Sequence, residues 1–165
     1  MPIVDVQLDL TGILKEIESI NNVPLAAEKA MRRYIDEDVY PAFLKTIESW
    51  DNKPLFSKLT KTESNGIIGQ VWTDDNVYHI LDGGAKPHPI TATKGEFLHF
   101  QTGFTPKTRP RWIGSQSGGK DKSSPWAHVK FVDHPGVKAR EWAKTIAEDT
   151  QSLVVNKFRE ELRKL

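Results

Sequence analysis

The chain has 165 residues, 38% of them apolar and 27% charged, with a formal net charge of +1. That size suits a single domain with a real core, and the near-neutral charge excludes a whole-molecule polyanion binder, so any nucleic-acid contact must come from a local patch. The absence of cysteine excludes a disulfide framework, thiolate metal sites and a cysteine nucleophile.

Residues 3–10 alternate, with Val4, Val6, Leu8 and Leu10 apolar and Asp5, Gln7 and Asp9 polar. A period of two predicts a half-buried strand, and the acidic outer face suits an edge. A short helix from Gly12 to about Ser19 follows, capped by Thr11. Asn22-Val23-Pro24 starts a second helix running to about Trp50. Its stripe is Ala27, Met31, Ile35, Val39, Phe43 and Ile47, widened by Tyr34 and Trp50. Glu28 and Arg32 form an outer i,i+4 pair. Pro41 should kink or split this helix near Tyr40.

Leu55–Glu63 and Ile67–Thr73 predict a hairpin around Ser64-Asn65-Gly66. Asp74-Asp75-Asn76 is a turn or a helix cap, and Val77–Leu81 is one helical turn or a strand. Asp82-Gly83-Gly84 stops that segment, and Lys86-Pro87-His88-Pro89 holds the chain extended. Residues 90–92 and 97–101 are expected to pair with each other about Lys94-Gly95-Glu96. Ala127–Val132 returns to strand character. After the His134-Pro135-Gly136 turn, Val137–Leu165 is read as one long amphipathic helix, with Trp142, Ala143, Ile146, Leu153, Val154, Phe158, Leu162 and Leu165 in its stripe.

Between these lies a stretch without period, Gly103–Trp126, rich in Gly, Pro and Ser. A connection this long is usually functional or disordered. Lys107, Arg109, Arg111, Lys120 and Lys122 oppose Asp121 alone, a local charge of +4. Phe104, Trp112 and Trp126 interleave with these cations, which suits contact with nucleic-acid backbone and bases or a disordered loop that orders against a neighbouring subunit. Segregated helices and strands predict an α+β domain over residues 1–165, with an antiparallel sheet packed by two long helices and a long flexible basic loop at 103–126.

No catalytic constellation emerges. His79 and His88 lie nine apart, and His128 and His134 six apart; neither spacing is that of a helical metalloprotease site. Asp82, His88, Asp133 and His134 converge only if the fold brings them together. Gly118-Gly119-Lys120-Asp121 has Asp where a phosphate loop needs Ser or Thr. No apolar run reaches the ~18–20 residues of a membrane span, and the N-terminus has no signal-peptide pattern. Neither metal nor cofactor is expected.

Three pieces then resemble a known family: Tyr78…Asp82-Gly83-Gly84…Lys86-Pro87-His88-Pro89-Ile90, Phe97-Leu98-His99-Phe100, and Val132-Asp133-His134-Pro135-Gly136-Val137-Lys138-Ala139. In order and spacing they are similar to the tail-completion, or minor tail, proteins of long-tailed bacteriophages, which act at the head–tail joining region. The likeness covers residues 20–165. Asp82 stands where the family more often has Glu, and Arg140-Glu141-Trp142 where a Pro-Phe pair often opens the last helix. The resemblance implies a non-enzymatic structural virion protein of the neck or tail, made in the host cytoplasm. It implies a ring-like homo-oligomer bound to head-closure, tail-terminator or tail-tube proteins, with loop 103–126 reaching either a neighbouring subunit or channel DNA, and no membrane contact. A nucleic-acid-binding module using loop 103–126 is the alternative reading.

Overall fold

A computed structural model describes residues 22–63 and 66–165 and the backbone of residues 4–8. The predicted helix over 12–19 and its Thr11 cap lie outside these residues, as do Ser64 and Asn65. The first helix, α1 (Val23–Tyr34), runs without a break through a π turn (Ile35–Val39) into α2 (Tyr40–Thr46). The Tyr40 N–H reaches the carbonyl of Ile35, five residues back. The expected disturbance at Pro41 is therefore a widened turn just before it. Pro41 has no N–H to give the ladder, and its ring crowds the preceding carbonyls.

Strand β1 (Val4–Leu8) pairs antiparallel with β3 (Gly66–Trp72), which pairs on its other side with β2 (Ser57–Glu63). β1 is thus the expected edge strand, and β2–β3 is the expected hairpin, closing on Glu63 and Gly66. α1 crosses this sheet at Gly69, where an added Cβ would lie 2.7 Å from the Met31 sulfur. The last helix, α4 (Trp142–Leu162), packs along α1. The Tyr34 and Thr150 hydroxyls meet between them at 2.8 Å.

All seven apolar stripe residues from Ala27 to Ile47 named above, Trp50 excepted, are buried, together with Trp142, Ala143, Ile146, Val154 and Phe158 of the last stripe; Leu153 and Leu162 are half-buried and Leu165 is exposed. At one end of this core stands an aromatic cluster around Tyr78, which lies on α3 (Asn76–Gly83). Its ring centroid is 5.0 Å from that of Phe56 and 5.2 Å from that of Trp142. The Tyr78 hydroxyl accepts a bond from Thr46, and burial pushes it well above the usual phenol range. Asp75 caps α3 by accepting the Tyr78 N–H at 2.7 Å, which settles the turn-or-cap alternative. Along the seam of α4 with α1 and the π turn, Lys157 pairs with Glu37 and Asp38, and Arg33 with Glu37, Glu160 and Glu161. The Glu28–Arg32 pair forms as expected, at 3.1 Å.

The remaining strands differ from the prediction. β4 (His88–Thr91) pairs with β9 (Phe131–His134), not with residues 97–101. β5 (Leu98–Gln101) pairs with β8 (Trp126–Val129), and β6 (Phe104–Thr105) with β7 (Gly119–Lys120). The pairings are nested, so 85–137 is one antiparallel ribbon. The short turn at 94–96 is replaced by a six-residue excursion, 92–97, set against Lys130 alone. Local turn chemistry suggested a hairpin there; the register with the distant strand won. The helix read from Val137 begins only at Trp142, because residues 137–141 are used to close the ribbon's root.

Candidate functional site: an arm, its root and a cationic groove

The root of the arm gathers the turns singled out in the sequence. Ala85 and Val137 exchange both backbone hydrogen bonds, at 2.9 and 2.8 Å. Gly84 (φ 79°) and Gly136 (φ 83°) flank this bridge. A Cβ on Gly136 would fall 2.3 Å from the Ala85 carbonyl oxygen, and one on Gly84 would fall 2.8 Å from the Val137 oxygen. Both sites demand positive φ and bare backbone. Asp82 has a part that no local pattern shows. Its Oδ1 accepts the N–H groups of Trp142 (2.6 Å) and Ala143 (3.2 Å), capping α4 from 60 residues away. Glu141, the residue in the cap position, is left-handed (φ 53°) and makes no cap bond of its own.

His88 and His134 face each other across β4 and β9 with ring centroids 5.2 Å apart. His88 Nδ1 donates to the Lys86 carbonyl, and His134 Nδ1 accepts from the Gly136 N–H. Of the four residues that might have converged, these two do; Asp82 turns away to α4. His99 and His128 form a second cross-strand pair, 4.2 Å apart, which the sequence reading missed. Among the described residues no three metal-ligating side chains gather. Gly83 ends α3, and Pro87 and Pro135 stand in the extended segments beside the bridge. Tyr78, taken as part of the turn motif, is a core residue.

The arm has almost no interior. From Lys86 to Lys138 only Gly114 is buried. Six large aromatics along it are exposed, led by Trp126 (68%), Phe104 (61%) and Phe131 (61%). Yet residues 103–126 are not a free loop. The tip folds back onto the body. The Arg111 N–H donates to the Arg140 carbonyl, Trp142 Nε1–H to the Trp112 carbonyl, and Ile113 packs on the core. Glu48 accepts both the N–H and the hydroxyl of Ser115 at 2.8 Å, and these bonds, the backbone one foremost, hold its carboxyl below the usual range. Arg111, expected to contact a partner, is spent on Glu148 and Glu141 within the chain.

The fold-back encloses an open groove of about 1240 Å³. Trp50, Asp51, Asp75 and Leu81 line it from the body; Phe104, Lys107, Arg109, Lys120 and Lys122 from the arm; His134, Lys138 and Arg140 from the root. Four of the five loop cations picked from sequence therefore converge. Lys138 and Arg140 join them, having been read as helix residues. Arg109 also stacks on Trp112, 4.2 Å from its ring centroid. Trp126 lies elsewhere, on β8. Compared with models of known families, with curated proteins and with solved structures, the chain finds no match in any of the three.

Proposed function

We propose that the chain is a structural subunit of the neck or tail of a long-tailed phage, acting by binding and working as a homo-oligomer. The observation that carries this is the arm. A two-stranded ribbon is marginal in water by itself, and this one presents six exposed aromatics and unpaired backbone along both edges. Such a surface is stabilised by a neighbour that covers it. Aromatic side chains are also the usual anchors of protein interfaces. Docked on a patch other than itself, the arm makes a heterologous contact, which closes into a ring when the rotation allows. The motif resemblance supports the same reading and supplies its setting, with head-closure, tail-terminator or tail-tube proteins as neighbours.

Sedimentation of the full chain tests the oligomer. The wild type should sediment as a closed assembly. Trp126→Ser/Phe131→Ser should sediment as a monomer with unchanged circular dichroism. A wild-type monomer at every attainable concentration removes the ring. Antibody labelling of particles tests the setting, and particles unlabelled at neck and tail would remove it.

A further inference from the structure

The groove holds six cations: Lys107, Lys120, Lys122, Arg109, Lys138 and Arg140. Its acids are Asp51 and Asp75, and the latter is engaged in capping α3. Among the described residues none of the six cations stands in an ion pair, although thirteen pairs form elsewhere on the chain. In a chain of net charge +1, this concentration is local.

Arg140 is the sharpest of them. Only 7% of it is exposed. Its Nε–H donates to the Thr108 hydroxyl at 3.0 Å and its Nη1–H to the Lys138 carbonyl at 2.7 Å. Both partners are neutral, and burial lowers its pKa without any acid to offset the effect. A guanidinium taken out of water without a counter-charge is costly. Here its two neutral partners fix the planar fork in one orientation at the groove wall. Opposite, the Lys107 side chain runs over Gly119, whose added Cβ would sit 3.1 Å from Lys107 Cε. That brings Lys107 beside Lys120. Trp50 and Phe104 add aromatic faces to the lining.

We propose that this groove is a phosphate-binding site, with Arg140 as its fixed, bidentate donor and Arg109, Lys107, Lys120 and Lys138 as the surrounding positive field. Guanidinium forks match phosphate geometry, and lysines act as point charges around them. The phosphate comes either from a nucleic-acid backbone, with bases against Trp50 and Phe104, or from a free phosphate anion. The site lies between body and folded-back tip, so it stands independently of whether the arm's outer aromatics make a ring.

The test uses the full chain and two probes. Fluorescence anisotropy with a labelled single-stranded DNA oligonucleotide of mixed sequence, at low and raised salt, reads the backbone source. The melting temperature with and without inorganic phosphate, against chloride at equal ionic strength, reads the free anion. Oligonucleotide binding whose log K falls with log salt by about 0.7 per phosphate engaged supports the backbone source. A melting shift with phosphate and no oligonucleotide binding supports the small anion. In either case Arg140→Gln should weaken the response about tenfold, the worth of a charged hydrogen bond. Lys107→Gln/Lys120→Gln, at two exposed positions outside the core, should weaken it too while leaving the fold intact. No response to either probe at low salt overturns the proposal. So does a response that Lys107→Gln/Lys120→Gln leaves unchanged.

Discussion

The body and the arm are built by opposite rules. The body gathers one buried apolar core between α1, α4 and the three-stranded sheet. The arm, residues 86–138, buries one glycine. The body is held by packing, which is non-directional and spread over many contacts. The arm is held by a few directional contacts at two places, the root bridge and the seated tip. Stability in the body is therefore collective, whereas in the arm it rests on single residues that can be removed one at a time.

Substitutions can sharpen that contrast. The largest effect is expected where both regions meet. Trp142→Ala removes the Tyr78 stack and the bond to the Trp112 carbonyl, and should cost about 3–5 kcal/mol in urea unfolding. Next is the root. Gly136→Ala forces a Cβ onto the Ala85 carbonyl at positive φ. It should cost roughly 1–3 kcal/mol, read by hydrogen exchange as faster opening of 85–137 with α1 still protected. Equal loss of protection in α1 would mean that arm and body open as one unit. Asp82→Ala takes the cap from α4 and should cost about 1 kcal/mol. Asp82→Asn, which keeps an acceptor, should restore most of it.

The smallest effect is at the tip and depends on pH. The Glu48 carboxyl is held below its ordinary value of 4.5 by Ser115. A depressed carboxyl contributes stability that is present above its unfolded value and lost as pH falls through its lower, folded one. Acidification through and below that range should release the Ser115 amide to exchange before the body opens. Glu48→Gln should remove that pH dependence.

The body was legible because its signals are local and periodic. The stripe from Ala27 to Ile47 recurs every fourth residue, which drifts by about 40° per step on a helix of 3.6 residues per turn. The π turn at Ile35–Val39 widens the helix and takes up part of that drift, so the spacing itself foreshadowed it. Gly and Pro likewise marked Gly84 and Gly136 as turns. The arm was illegible because its information lies in pairings between distant residues. Nothing at 97–101 announces Trp126–Val129 as its partner, and nothing at Asp82 announces a helix 60 residues on. Arg140 was hidden for the same reason. Trp142 and Ile146 extend a helical pattern backwards past the point where the chain is needed to close the root. Among the site residues, the loop cations were found by composition; that Arg111 was already paired required the fold.

One consequence concerns length. The Tyr34–Thr150 contact joins two halves of the core that are 116 residues apart, with the entire ribbon inserted between them. The entropy of closing such a loop grows only logarithmically, by about 0.6 kcal/mol for each doubling. The ribbon leaves and re-enters at one bridge, Ala85–Val137. Residues added in the 92–97 excursion, which faces Lys130 alone, therefore enlarge that bulge at almost no cost to the core. What can vary there is the arm's outer flank, because its tip stays bonded to Glu48, Arg140 and Trp142 of the body.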